Sequence, residues 1–314
     1  MLISSTPITL TGPARAPKQM LAGQTYDGHL SVHDDETAEK LGLPGAPIEG
    51  PTHFSQFDPM LASLWGSRWF ERGTLSSHFL TMVVEGEEVT ASVSIDGPGA
   101  TTAKLYAEKA DGTPVLEGTA SIDGLGSIDG AESGTALATR LAKVQSSPPG
   151  DLYIIDQISV GQRGEEAETI RIGVDDHLGN LYPFSLRQKL DKITEPMRWY
   201  ESGADDNPWG RPIIPIEMMS VITHSGSKRV GFKTRQPSVG LFIDLEVQMV
   251  AGPVFRDHPY RVEREVVALG QSRRTESYWT LTTLTDDETD NLVARVLLHQ
   301  GVFKASYADY PSDR

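Results

Sequence analysis

A glutamate and a histidine lie four residues apart in the segment "GAPIEGPTHFSQF", which covers residues 45–57. If helical geometry already holds at residue 49, Glu49 and His53 share one face, because side chains at i and i+4 are neighbours on a helix. A carboxyl group beside an imidazole can act as an acid–base pair, and the carboxylate can also orient the ring. The structural alternative is that Glu49 complements the positive end of the helix and His53 packs against Phe57.

Two further histidines are candidates for proton transfer. His33 lies beside Asp34 and Asp35, and an imidazole has an unperturbed pKa of roughly 6.5, which suits proton transfer near neutral pH. The two carboxylates could instead hold His33 as a loop residue. His78, in "LSSHFLTMVV", lies on a strand expected to run beside the helix, where a histidine with a purely structural role is the commoner case.

Gly50 and Pro51 open the helix that follows Glu49. The first N–H groups of a helix have no intrahelical partner, so they can donate hydrogen bonds to an oxygen that gains negative charge. Glycine lets a ligand approach the backbone closely, and proline lacks an N–H that the first turn does not need. The segment therefore suits an oxyanion site, and it equally suits a helix start without a ligand.

Composition excludes several classes of function. The 314-residue chain has no cysteine, so thiolate nucleophiles and cysteine-based metal sites are excluded. No cysteine can complete a zinc site with the histidines, and glycine-rich nucleotide-binding motifs are absent, so we expect neither a metal nor a cofactor. A net charge of −15 argues against a nucleic-acid partner. No apolar run is long enough to cross a membrane, and no secretory signal is present, so we expect a cytoplasmic protein.

The chain divides into two similar parts. Residues 123–151 are rich in Gly, Ser and Pro around the helix-like piece "ALATRLAKV". We expect an N-terminal unit over residues 1–130, a linker over 131–150 and a C-terminal unit over 151–314. Each unit has three predicted antiparallel strands, because alternating segments are separated by turn residues. They are 90–95, 102–108 and one after the Ala110-Asp111-Gly112 turn, then 260–269, 274–284 and 291–300.

A candidate helix precedes each set of strands. In the first unit it runs through "THFSQFDPMLASLWG", with a kink or restart expected at Pro59. In the second unit it runs through "IEMMSVIT". Pro47-Ile48-Glu49 and Pro215-Ile216-Glu217 stand at the same place before the two helices. The repeated order predicts a duplicated α+β unit in which a sheet wraps a helix.

Short motifs in this order resemble the MaoC-like hydratase/dehydratase family, whose larger members are double hotdogs. That family has a Gly-Asp-x-Asn-Pro-x-His stretch, then an acidic residue, an alanine and a Pro-Ile-x-His-Gly helix entry. The matching residues of the first unit are His33, Asp35, Ala38, Gly42, Pro47, Ile48 and Gly50. The second unit matches the Asp-x-Asn-Pro fragment at Asp205, Asn207 and Pro208.

The sequence departs from the family pattern at three places. The family's catalytic Asp and His are five positions apart, whereas Asp27 and His33 are six apart. Glu49 stands where the family has the helix-entry histidine. Gly210 stands where the second unit would have its catalytic histidine, so we expect the C-terminal unit to be degenerate and the site to lie in the N-terminal unit.

The resemblance implies a fold of the α+β class, a double hotdog with two antiparallel sheets that each wrap a central helix and together form a pseudo-dimer. It also implies a cofactor-independent lyase, a hydratase or dehydratase of an enoyl or 3-hydroxyacyl thioester on coenzyme A or a carrier protein. The implied catalytic residues are His33 with Asp27 for proton transfer, and Glu49 and His53 as second acid–base or orienting groups. The implied substrate-binding residues are Gly50 as the oxyanion donor, Phe54 and Phe57.

Two alternatives keep the same fold. The first is a hotdog thioesterase, in which Glu49 and His78 hydrolyse the thioester. The second is a protein that only binds an acyl or polyketide-like ligand, or that was recruited to another proton-transfer reaction such as cyclisation. In every case the expected partner is a small molecule, without a nucleic acid or a membrane, and a homodimer is possible.

Overall fold

The computed structural model describes residues 6–24, 30–164, 167–201, 205–224 and 232–311. Within these ranges, no helix is long and apolar enough to span a membrane. Ten strands form one antiparallel sheet. They are β1 (Ile8–Thr11), β2 (Thr74–Phe79), β3 (Val89–Ile95), β4 (Thr102–Lys109), β5 (Pro114–Ser121), β6 (Glu168–Ile170), β7 (Gly240–Met249), β8 (Tyr260–Gln271), β9 (Thr275–Asp286) and β10 (Leu292–Phe303).

The order of the strands shows the duplication. From one edge to the other it is β1-β3-β4-β5-β2-β7-β10-β9-β8-β6, so each half repeats the other outward from the centre. The two halves join where β2 pairs with β7, with Leu75 opposite Val247. The six predicted strands are present as β3–β5 and β8–β10. The two predicted antiparallel sheets are present, one in each half, and β2 and β7 join them edge to edge into one continuous sheet.

Each half has a short central helix against the inner face of the sheet. The first central helix is a 3₁₀ segment, Gly50–Gln56, followed by α2. It restarts at Asp58, next to Pro59, as predicted. The second central helix is a 3₁₀ segment, Ile216–Met218, followed by α6. The α-helices are α1 (Asp35–Lys40), α2 (Asp58–Trp65), α3 (Arg68–Arg72), α4 (Ala138–Gln145), α5 (Leu186–Leu190) and α6 (Met219–His224).

The two central helices begin against each other, so both Pro-Ile-Glu segments lie at the interface between the halves. They share one large apolar core with the inner face of the sheet, including Leu75 of β2 and Leu245 of β7. The linker covers the outer face instead. Leu137 and Leu141, around the start of α4, pack there against Trp279. The domain boundaries at residues 130 and 151 stay a prediction.

We expect Leu75→Ala to lower the free energy of unfolding by about 2–5 kcal/mol, the usual cost of removing a fully buried leucine side chain. Leu75 is fully buried at the β2–β7 seam, where both halves pack on it. Urea denaturation of the intact chain measures the change. Leu80→Ala is the matched control, since Leu80 is 42% exposed, and it should cost well under half as much. Equal losses in the two variants would contradict a core that runs across the seam.

Candidate functional site

One cavity of about 270 Å³ opens between the two halves. Its wall includes the start of the first central helix, the end of β2 with the chain that follows it, and the first residues of β7. Much of the wall is apolar, and Leu30 and Leu80 on it are also exposed to solvent. The cavity therefore offers an apolar surface that reaches the outside of the protein.

Four of the predicted site residues line this cavity, namely His33, Glu49, Gly50 and His53. The other four predictions fare differently. Phe54 and Phe57 do not line it, because both are fully buried in the core, so their assignment as substrate-binding residues needs correction. Phe54 instead stacks on the cavity residue Phe79, with ring centroids 6.1 Å apart. Asp27 lies outside the described residues, and His78 lies on the other face of the sheet.

His33 is held by the loop that leads into the first central helix. Its Nδ1 lies 2.6 Å from the carbonyl oxygen of Pro47, and its backbone N–H donates to the hydroxyl of Ser31. A carbonyl oxygen can only accept, so in the neutral ring the proton is on Nδ1 and Nε2 is the nitrogen that can take a proton. The Pro-Ile-Glu corner thus orients His33 as well as Glu49.

Glu49 is a buried carboxyl group, only 7% exposed, at the residue before the 3₁₀ segment. Burial raises the pKa of Glu49 to about 7; Lys189 opposes this rise, Glu217 adds to it, and a hydrogen bond from Ser220 opposes it. The Ser220 hydroxyl lies 3.4 Å from Glu49 Oε1. A carboxyl group with this pKa can donate or accept a proton near neutral pH.

His53 is a buried, neutral imidazole. Its Nδ1 lies 3.3 Å from Gln56 Oε1, and Gln56 Nε2 donates to the Val89 carbonyl, which fixes the amide so that its oxygen faces the ring. His53 therefore carries its proton on Nδ1. Burial lowers the pKa of His53 to about 4 against the effect of the Gln56 hydrogen bond, and Lys189 lowers it further. The ring stays uncharged at neutral pH and offers Nε2 as an acceptor.

Gly50 contributes backbone to the cavity wall. A Cβ atom at this position would lie 2.9 Å from the ring of Phe79, so a larger residue would crowd that ring. The N–H of Gly50 makes no hydrogen bond to any described residue. This N–H stands directly after the carbonyl group of Glu49, at the first residue of the helix.

His224 is a cavity residue that the sequence analysis missed. It lies at the end of α6, and its Nδ1 donates to the carbonyl oxygen of Ser220 at 2.8 Å. Burial and the nearby Arg264 charge lower the pKa of His224 to about 4. The repeat gave no signal for it, because the residue that corresponds to His224 in the first half is Gln56, which is not among the cavity-lining residues. The C-terminal half therefore contributes an imidazole to the cavity.

Two further missed residues, Lys189 and Glu217, lie behind Glu49. Lys189 of α5 is 2% exposed and Glu217 of the second Pro-Ile-Glu segment is 1% exposed. The Lys189 ammonium group lies 3.2 Å from Glu217 Oε1 and donates to the hydroxyl of Thr52 at 3.1 Å. The repeated Pro-Ile-Glu segment was the available sequence signal for Glu217. If the starts of the two central helices pack together, the glutamates at the same place in both halves are brought close to each other.

Few ionisable side chains line the cavity. They are Glu49, His33, His53, Tyr182 and His224, and no described lysine or arginine is among the lining residues. Nor do the described residues bring together three His, Asp or Glu side chains that could hold a metal ion. Such a surface suits an uncharged ligand that makes hydrogen bonds at a few points in a largely apolar pocket.

His78 belongs to a cluster on the outer face of the sheet. Its Nδ1 lies 2.6 Å from Asp244 Oδ1, and the other oxygen of Asp244 lies 2.6 Å from His299 Nδ1. Burial raises the pKa of Asp244, but hydrogen bonds from His299 and His78 outweigh it and bring the pKa to about 2. Arg140 of the linker helix also contacts Asp244, at 3.2 Å. The pairing of His78 with Glu49 is therefore not formed.

The matching stretch of the second half forms a turn. Asn207 accepts from the N–H of Trp209 and donates to the carbonyl oxygen of Arg211. Trp209 packs edge-on against Trp199 and Phe70, with ring centroids 5.3 and 6.3 Å away. These residues of the Asp-x-Asn-Pro region thus take part in packing, and Met218 of the second Pro-Ile-Glu segment is fully buried.

Comparisons with known proteins establish the fold. No family model matches the chain, and no curated protein does. Among solved structures, a Mycobacterium tuberculosis protein described as having a double hotdog fold is 10% identical, with a TM-score of 0.55, over 96% of this chain and 97% of the other. A Chloroflexus aurantiacus protein named as a MaoC domain dehydratase is 12% identical, with a TM-score of 0.53, over 96% and 95%. The chain is a double hotdog.

Proposed function

We propose that this double hotdog is a cofactor-independent hydratase/dehydratase of acyl thioesters. The observation that carries the proposal is the convergence of Glu49, His33 and the start of the first central helix on one largely apolar cavity. The likeness to a protein named as a MaoC domain dehydratase adds support from the fold. The substrate is an enoyl or 3-hydroxyacyl thioester, whose acyl part is uncharged and matches the cavity wall.

In the hydration direction, His33 and Glu49 share the proton transfers. His33 Nε2 takes a proton from water while the water oxygen bonds to the β-carbon of the enoyl group. Glu49, protonated, gives its proton to the α-carbon as the double bond is lost. The products are the 3-hydroxyacyl thioester, a Glu49 carboxylate and a His33 imidazolium, and transfer of one proton from His33 to Glu49 through solvent restores the resting site.

The thioester oxygen gains negative charge as the new bond to the β-carbon forms. In this proposal it accepts a hydrogen bond from the Gly50 N–H, at the positive end of the first central helix. His53 stays neutral because of its low pKa. It serves as an orienting acceptor beside the reacting groups.

Thioester hydrolysis is the second candidate, because the same Glu49 and Gly50 could activate water and hold the carbonyl oxygen. It would proceed without His78, which lies on the other face of the sheet in contact with Asp244. The reaction would release a free thiol, whereas hydration leaves the thioester intact.

Incubation of the purified chain with crotonyl coenzyme A tests the proposal. Loss of enoyl absorbance without release of free thiol is the expected result, and a 3-hydroxybutyryl product by mass spectrometry identifies the reaction. Thiol release at the same rate would favour hydrolysis. If enoyl thioesters of short, medium and long chains, on coenzyme A and on acyl carrier protein, all give neither signal, the proposed function is wrong.

We expect Gly50→Ala to raise KM for the enoyl thioester about 2- to 10-fold with kcat less affected, since moving the Phe79 ring off its rotamer costs about 0.5–1.5 kcal/mol. The added methyl group would lie 2.9 Å from that ring. Initial-rate kinetics measure both constants. The double variant Gly50→Ala/Phe79→Leu relieves the contact and should recover much of the KM. An unchanged KM in Gly50→Ala would place the ligand away from this part of the wall.

A further inference from the structure

The buried charges behind Glu49 are unevenly matched. Three carboxyl groups are buried here, those of Glu49, Asp58 and Glu217. Glu49 and Asp58 each interact with the charge of Glu217, and the one described ammonium group buried beside them is that of Lys189. Burying an ionised carboxylate without a partner is costly, so one cation cannot keep all three carboxyl groups ionised. The contacts of the Lys189 ammonium group show which carboxyl group it pairs with.

Contact assigns Lys189 to Glu217. The ammonium group lies 3.2 Å from Glu217 Oε1, and neither oxygen of Glu217 has a hydrogen-bond partner among the described residues. The Lys189 ammonium group is therefore the described polar contact of the Glu217 carboxyl group. Asp58 has two donors of its own, Trp69 Nε1 at 2.9 Å and the Tyr200 hydroxyl at 2.8 Å.

Glu49 has weak hydrogen-bond support for a negative charge. Its described hydrogen bond is the long one from Ser220, at 3.4 Å. Lys189 and Glu217 act on it with opposite signs, because the lysine lowers its pKa and the second glutamate raises it. The titratable or charged groups that face this region from the surrounding elements are His33, His53, Asp58, Tyr182, Lys189, Tyr200, Glu217 and His224.

We propose that Lys189 and Glu217 are positioning residues for proton transfer, and that their ion pair neutralises the lysine and so leaves Glu49 protonated. The second Pro-Ile-Glu segment then has a role in the reaction, although its glutamate does not line the cavity. The C-terminal half sets the protonation state of the acid that the N-terminal half presents to the substrate. The link to catalysis rests on the proposed function of Glu49, whereas the charge coupling itself does not.

Carboxyl ¹³C NMR of the intact chain, labelled at glutamate, tests the coupling without any turnover. The resonance that disappears in Glu49→Gln belongs to Glu49, and its titration midpoint is expected near 7. Glu217→Gln frees the lysine charge to act on Glu49, so the midpoint should fall by about one pH unit or more. Lys189→Met removes the attraction and should raise it. The double variant Lys189→Met/Glu217→Gln should return it towards the wild-type value.

Glu246→Gln is the matched control, since Glu246 is a buried glutamate bound by Ser127 on the outer face of the sheet. It should leave the Glu49 midpoint in place. If the Glu49 midpoint is the same in Glu217→Gln as in the wild type, the proposed charge coupling is wrong. The Glu217→Gln variant is a sufficient test by itself if Lys189→Met does not fold. In an active enzyme, the alkaline limb of kcat/KM for hydration should move with the midpoint. If the alkaline limb of kcat/KM stays in place while the Glu49 midpoint moves, Lys189 and Glu217 are not positioning residues for the reaction.

If the purified protein catalyses neither hydration nor hydrolysis, the proposed function is wrong. The NMR titration still tests the charge coupling in that case, because it needs no turnover. The two failures are therefore distinguishable.

Discussion

Glu49→Gln is expected to lower kcat/KM for hydration of an enoyl thioester by about 10²- to 10⁴-fold, the usual contribution of a general acid. The amide has nearly the shape of the protonated carboxyl group, but it cannot give a proton to the α-carbon. Because Glu49 is 7% exposed and its described hydrogen-bond partner is the Ser220 hydroxyl, the substitution should leave the cavity and KM little changed. Initial rates over a range of substrate concentrations separate the two constants.

Two comparisons make this test sharp. His33→Asn should also lower kcat by a similar factor, because the amide cannot take the proton from water. Glu39→Gln, on the exposed surface of α1, is the matched control and should retain wild-type rates. A Glu49→Gln enzyme with more than about one tenth of the wild-type kcat/KM would exclude Glu49 as the proton donor.

The second large effect is on stability, and it depends on pH. The pKa of Glu49 is raised from 4.5 to about 7 in the folded chain. Between these two values the unfolded chain loses the proton and the folded chain keeps it, so wild-type stability falls as pH rises. The stabilisation by the proton is complete below about pH 4.5 and is lost as pH passes 7.

Glu49→Gln removes this dependence. Relative to wild type, the variant should gain about 3 kcal/mol of unfolding free energy between pH 4.5 and pH 7, at 1.36 kcal/mol per pKa unit. Urea denaturation of both proteins across this range measures the difference. Other titrating groups largely cancel, because they are present in both chains. A constant difference across the range would mean that Glu49 titrates at an ordinary pKa and is ionised in the resting site.

The low pKa values of His53 and His224 explain why the proposed mechanism assigns proton transfer to Glu49 and His33. Both rings have a pKa of about 4, and each donates its Nδ1 proton to an oxygen of its own helix. They present Nε2 as an acceptor at neutral pH without holding a second proton. The cavity thus combines one buried acid with imidazoles that accept hydrogen bonds, and this combination suits a substrate that carries a hydroxyl or amide donor beside its apolar chain.

Much of the fold followed from local patterns. Alternation and turn residues predicted β3–β5 and β8–β10, and Pro59 predicted the restart at α2. The repeated Pro-Ile-Glu segment predicted the duplication. These features depend on residues close in sequence, whose steric and hydrogen-bonding preferences act before any tertiary contact forms.

The strand β2 shows where such patterns fail. Both of its faces are covered, by the central helices on one side and by the linker on the other, so it has no alternation of apolar and polar residues that would show which face points inward. Phe79 faces the cavity and His78 faces Asp244, and the sequence could not distinguish the two.

The sequence by itself determined six of the strands, the two central helices, the duplication and the presence of Glu49, His33 and Gly50 around the first helix entry. Only the tertiary structure decided that Phe54 and Phe57 serve the core, that His224 reaches the same cavity, and that Lys189 pairs with Glu217 behind Glu49. Thr52 and Lys189 are 137 residues apart and yet in contact. Such contacts arise because β2 pairs with β7 and brings the starts of the two central helices together. A pattern of neighbouring residues in the sequence cannot predict a contact between residues so far apart in the chain.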